Sequence, residues 1–132
     1  MNKKHLINGW SVCVGSMDAI TGILLIFVPE IVLKLLGIAQ PDNRSWIFLS
    51  WMGVFVTGVG LSYVWALRNA TQGKLVWKFT AMIRLMVAGF ISWKIGTGEL
   101  QPAWLLVALS DAFVAVIQLV VLRLDWWREV DP

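Results

Sequence analysis

Four long apolar segments constrain this chain more than any other feature of its sequence. They cover residues 7–28, 45–67, 77–95 and 103–122. Each is long enough to cross a bilayer, which takes about 20 residues at about 1.5 Å of rise per residue. Only 14% of the 132 residues are charged, against about 25% in a typical soluble domain. The sequence therefore predicts a single integral membrane domain over residues 1–132, an all-α bundle of four transmembrane helices.

The connections between these segments predict how the helices follow one another. The stretch 29–37 opens with Pro29 and closes with Gly37, and it is too short to span. We expect it to form a short interfacial helix after the first span. The loops 68–76 and 96–102 contain Gly, Thr, Asn or Pro, as turns between antiparallel neighbours do. The expected product is an antiparallel bundle.

The basic residues predict the orientation. Three lie on one side, Lys34, Arg44 and Lys94, and seven lie on the other, namely Lys3, Lys4, Arg68, Lys74, Lys78, Arg123 and Arg128. Because the side richer in Lys and Arg stays inside, both termini are expected in the cytoplasm. The net charge of +3 is then a sign of topology, and no nucleic-acid partner is expected. Tryptophans fall near both predicted interfaces as an aromatic belt, with Trp10, Trp65, Trp77, Trp126 and Trp127 on the inner side.

The composition excludes several kinds of chemistry. One Cys and one His cannot form an internal disulfide, a Cys-based zinc site or a bis-His haem site. Cys13 has no His close by in sequence to activate it as a nucleophile. No metal motif or phosphate-binding glycine loop occurs in the sequence. We therefore predict no catalytic residue, no metal and no cofactor.

Three charged residues stand out because they lie at one depth. Asp18, Arg84 and Asp111 occupy the first, third and fourth spans, each within about 3 Å of its segment's midpoint at about 1.5 Å per residue. A charged residue at mid-membrane costs about 2.5–3.5 kcal/mol on insertion. Three such residues facing lipid would be too costly, so we expect their side chains to face inward and meet.

Small and polar residues recur at helical spacing on the same faces as these charges. In lipid, small residues mark the faces where helices approach closely. The predicted packing seam comprises Ser11, Gly15 and Gly22 in the first span, Gly53, Thr57 and Gly60 in the second, and Ala108 and Gln118 in the fourth.

Asp18, Arg84 and Asp111 allow three non-catalytic interpretations. Arg84 can tie two aspartates together, since a guanidinium offers five donors. Alternatively, two carboxylates and one guanidinium sum to −1, which favours binding of a proton, a cation or an amphiphilic small molecule. The cluster can also contact a larger complex. A pair of acids could in addition perform acid–base work on a lipid, for instance isomerising a double bond.

Several motifs carry a resemblance to a known family. The stretch 15–19, the stretch 22–29, the closing residues 35–38, Arg84 and the triplet 110–112 resemble DoxX-like small four-helix bacterial membrane proteins. The chain departs from that pattern at Asn8 and Gly9, where the family tends to carry an Arg. The resemblance implies a bacterial inner-membrane protein, in a group where some members look like subunits of membrane redox enzymes. Sterol-isomerase-type bundles are a more distant likeness.

The sequence as a whole favours a non-catalytic accessory or interaction subunit of a membrane assembly. Its expected partners are the lipid bilayer and either other membrane subunits or further copies of itself. The alternative is a bundle that binds a proton, a cation or an amphiphile at Asp18, Arg84 and Asp111 and conceivably modifies lipid.

Overall fold

The chain forms helices connected by short turns. A computed structural model describes residues 2–129, and that part of the chain contains no β-strand. Its α-helices are α1 (Lys3–Phe27), α2 (Pro29–Leu35), α3 (Trp46–Ala66), α4 (Ala70–Gly96) and α5 (Leu105–Arg123). Two short 3-10 turns, Pro102–Trp104 and Trp126–Glu129, precede and follow α5.

Four of these segments are long and apolar enough to cross a membrane. They are α1, α3, α4, and α5 together with the turn before it, with mean hydropathies between 1.5 and 2.5 over their most apolar stretches. The predicted all-helical fold with four candidate spans is therefore confirmed. The side chain of Arg128, one of the basic residues counted for orientation, lies outside the part of the chain that is described.

Two helices begin earlier than the hydropathy predicted. The Asn2 side chain accepts a hydrogen bond from the Lys4 amide at 3.0 Å and starts α1. Asn69 likewise accepts from the Gln72 amide at 2.8 Å, so α4 starts at Ala70 rather than at residue 77. Asn is favoured at this position because its oxygen satisfies an amide that the helix leaves unpaired. The first turns of α4 are polar, so a prediction of the third span from apolar residues alone left them out.

The short helix α2 ends two residues before the predicted boundary. Gly37 has a φ of 69°, a left-handed conformation that stops the helix. The amides of Gly37 and Ile38 then bond the carbonyls of Lys34 and Leu33, at 3.1 and 2.9 Å. Leu33 and Ile38 are buried in one cluster with Leu49 of α3, so this end of the bundle is closed by α2.

Helices α1 and α3 approach each other backbone to backbone through two pairs of glycines. A Cβ placed on Gly60 would lie 2.6 Å from the carbonyl oxygen of Gly15, and one on Gly53 would lie 2.6 Å from that of Gly22. Both distances are too short for real atoms. The seam glycines predicted from spacing are therefore the residues that let this helix pair form.

The other helices pack through small and aromatic side chains. Ala88 and Ile91 of α4 are buried with Ala108 of α5. Near the other end of α4, Trp77 packs edge-on against Trp127, with ring centroids 5.2 Å apart. Both tryptophans are only 1% exposed. Trp77 and Trp127 are thus core residues, and their assignment to an interfacial belt was wrong.

We expect Gly53→Ala to destabilise the protein by about 1–3 kcal/mol, the usual cost of overpacking a close contact. The added methyl group would meet the Gly22 carbonyl, which belongs to the backbone and cannot move aside cheaply. Gly58→Ala is the matched control on the same helix, since its methyl group would meet nothing within 4 Å. Unfolding of the purified protein in mixed detergent measures both. Equal stability of the two variants would contradict the close α1–α3 contact.

Candidate functional site

The three mid-span charges come from three helices and are in contact. Arg84 of α4 donates from one terminal nitrogen to Asp111 of α5, at 2.6 Å. It donates from the other terminal nitrogen to Asp18 of α1. We call these three residues the charge cluster. A guanidinium suits this arrangement because its two terminal nitrogens can serve two carboxylates at once.

The charge cluster is buried, but not uniformly. The side chains of Arg84, Asp18 and Asp111 are 5%, 10% and 18% exposed. Asp111 is therefore the member closest to the surface. The Arg84 Nε is buried without a hydrogen-bond partner. With both carboxylates ionised, the formal charge of the cluster is −1.

Small residues on each helix create the space for the charge cluster. Gly15 and Gly22 lie three residues before and four residues after Asp18, and both are buried. Ala81 and Ala88 flank Arg84 at the same spacing, and Ala108 and Ala115 do so for Asp111. Residues at these spacings share one helix face. Each charge thus lies in the middle of a face that allows close helix approach.

A second polar cluster lies next to the first along α4. The Tyr63 hydroxyl of α3 donates to the Gln118 Oε1 of α5 at 2.8 Å and lies 3.1 Å from the Thr80 hydroxyl of α4. Gln118 in turn donates from Nε2 to Thr80 and to the Trp77 carbonyl, at 3.0 Å each. Helix α1 contributes Ser11 to this second cluster. The Ser11 hydroxyl accepts a hydrogen bond from the Trp77 indole nitrogen at 3.0 Å.

We call Ser11, Tyr63, Trp77, Thr80 and Gln118 the polar layer. All five are nearly inaccessible, with exposures of 2% or less. Thr80 precedes Arg84 by four residues on α4, so the polar layer and the charge cluster lie about one helical turn apart. Each of the four long helices contributes at least one side chain to this connected set.

The remaining seam residues have more local roles. Gly15, Gly22, Gly53 and Gly60 form the α1–α3 contact described above. Thr57 donates to the Gly53 carbonyl of its own helix at 2.8 Å and is only partly buried. Ser11 and Gln118 belong to the polar layer, and Ala108 packs against Ala88 and Ile91 of α4.

Besides Trp77, which the sequence analysis assigned to an interfacial belt, sequence reasoning missed two members of the polar layer, Tyr63 and Thr80. Both carry a signal that the sequence offered. Tyr63 follows Gly60 by three residues, and Thr80 precedes Arg84 by four, so each extends a small or polar stripe that was already recognised. Tyr63 is also the single tyrosine of the chain.

The chemistry available elsewhere in the described chain is limited. Cys13 and His5 are both exposed. Among residues 2–129, no group of three or more His, Cys, Asp or Glu side chains could hold a metal ion. Two roles are consistent with the charge cluster. It can connect three helices, or it can bind a proton, a small cation or an amine-bearing amphiphile.

We expect Tyr63→Phe to cost about 1–3 kcal/mol, because it leaves the buried oxygen of Gln118 without its donor. Ser62→Ala is a suitable control, since the Ser62 hydroxyl bonds only the Val59 carbonyl of its own helix. Thermal unfolding in detergent compares the two. A Tyr63→Phe protein as stable as Ser62→Ala would show that the polar layer contributes little.

Comparisons with known proteins returned nothing: no protein-family model matches the chain, and neither a curated protein nor a solved structure does so at a significant level.

Proposed function

We propose that this chain is a small non-catalytic membrane protein that serves as an accessory or interaction subunit of a membrane assembly. The observation that carries the proposal is the internal pairing of the charge cluster. Both terminal nitrogens of Arg84 are engaged with carboxylates of the same chain. Removing one partner of a buried ion pair typically lowers the stability of a protein by about 3–5 kcal/mol. The cluster therefore keeps three helices in a fixed arrangement.

Two glycines on the outer surface support the interaction role. Gly58 of α3 and Gly89 of α4 are exposed, and a Cβ on either would meet nothing within 4 Å. Neither glycine is used for packing inside the chain. In membranes, a glycine on a helix surface allows another helix to approach closely. A second protein, or a second copy of this chain, would be accommodated at such a surface.

The proposal includes an orientation and a location. We assign an antiparallel arrangement to the bundle, with both termini in the cytoplasm of a bacterium and the helices in its inner membrane. The glycine pairs support the antiparallel arrangement of α1 and α3. Gly15 faces Gly60, and the later Gly22 faces the earlier Gly53. The excess of Lys and Arg on one side supports the orientation. The DoxX-like motifs support the location and remain a proposed affiliation.

We predict that the protein purified in mild detergent carries a bound protein partner or forms an oligomer, as measured by native mass spectrometry. Gly58→Leu and Gly89→Leu should each reduce that association, because a bulky side chain blocks close helix approach. Val64→Leu is the control, since Val64 is an exposed apolar residue of α3 that lies six residues from Gly58 and therefore on another face of the helix. A protein that is always monomeric and free of other proteins would count heavily against the proposal.

A second function is favoured by the charge of the cluster. Two ionised carboxylates and one guanidinium give a net charge of −1 in an apolar environment. The Asp111 side chain is partly accessible. A proton, a small cation or an amine-bearing amphiphile would neutralise that charge. Under this alternative, Asp111 receives the positive species, and one protonated and one ionised acid could also support chemistry on a lipid.

The two functions differ in what an Asp111→Asn variant should do. If the cluster only ties helices, the variant loses stability, and infrared difference spectra between acidic and neutral pH show no carboxyl signal assigned to this residue. If the cluster takes up a proton, the native protein gives a pH-dependent carboxyl signal that Asp111→Asn removes. We expect the first result, because we propose that the cluster only connects the helices. The second result would contradict this proposal and support the alternative function.

A further inference from the structure

An open groove lies between α4 and α5, away from the charge cluster. It has a volume of about 390 Å³ and is lined by Lys78, Val116, Leu119, Val120, Leu122 and Arg123. Four of these six side chains are aliphatic and two are basic, while none is acidic. We call this surface the basic groove.

The two basic residues lie at the same end of the bundle. Arg123 is the last residue of α5, and Lys78 lies about two turns from the start of α4. Both are exposed. Within the described part of the chain, neither forms an ion pair, whereas the neighbouring Lys74 is paired with Asp125 at 3.7 Å. The positive charge of Lys78 and Arg123 is therefore available to an external anion.

The aliphatic part of the basic groove lies next to these charges on α5. Val116 and Val120 are about half exposed, and Leu119 is about one-third exposed. These residues face the hydrocarbon region of a bilayer, since they belong to an apolar helix long enough to span it. A ligand that fits must therefore combine a negatively charged head with an apolar tail.

We propose that the basic groove binds one anionic phospholipid. The phosphate is held by Lys78 and Arg123, and an acyl chain lies along the aliphatic residues of α5. Basic pockets between transmembrane helices recognise acidic headgroups by this combination of charge and apolar contact. The flexible stem of Lys78 allows its ammonium to reach the headgroup level from within the span. This site is separate from the proposed subunit role and does not depend on it.

The test is a titration of the purified full chain in detergent with dioleoylphosphatidylglycerol, with bound lipid counted by native mass spectrometry. Dioleoylphosphatidylcholine serves as the neutral reference lipid. We expect one tightly bound anionic lipid. The double variant Lys78→Gln/Arg123→Gln should bind it about 25-fold more weakly, since each basic side chain near a headgroup contributes about fivefold.

The matched control is Lys4→Gln/Arg68→Gln, which removes the same charge from two exposed residues outside the groove. It should bind as the native chain does. Equally weakened lipid binding in both double variants would overturn the proposal, because the loss of affinity would then follow from the lower net charge of the protein alone. Thermal unfolding of each variant without added lipid verifies that the fold is intact.

Val120→Phe tests the apolar half of the site. It retains both basic residues but fills part of the groove, so we expect several-fold weaker binding of the anionic lipid. Unchanged binding in this variant would contradict a seated acyl chain.

Discussion

The ion pair between Arg84 and Asp18 is the interaction on which the arrangement of this bundle depends. Helices α1 and α3 form one close pair through their glycines, and α4 and α5 form another through small and apolar side chains. Asp18 belongs to the first pair, and Arg84 belongs to the second. Lipid tails compete with apolar helix faces on nearly equal terms, so a polar contact is needed to specify which faces of the two pairs meet.

The polar layer reinforces this connection close to the charge cluster. Tyr63 reaches from α3 to Gln118 on α5, and Ser11 reaches from α1 to Trp77 on α4. Both contacts cross from one helix pair to the other. Because these side chains are buried, losing one partner leaves the other without a hydrogen bond. The two clusters together define a single way for four similar apolar helices to associate.

The number and place of the spans could be predicted because each is a long apolar run with polar turns at its ends. The inward faces could be predicted because small residues recur with helical spacing around Asp18, Arg84 and Asp111. Other features depend on contacts between distant parts of the chain, which periodicity does not contain. Trp127 folds back over Gly73 and Trp77, and no local pattern distinguishes it from an interfacial tryptophan. The start of α4 depends on the cap at Asn69 rather than on apolar content.

The central claim is that Asp18 and Arg84 hold the two helix pairs together, and a double-mutant cycle tests it directly. The free energy of unfolding is measured for the native protein, Asp18→Asn, Arg84→Gln and the double variant, in one detergent mixture. The account predicts a coupling energy between the two sites of about 1–3 kcal/mol, as for other directly interacting residues. Additivity within about 0.5 kcal/mol would contradict it, because the two residues would then stabilise the bundle independently.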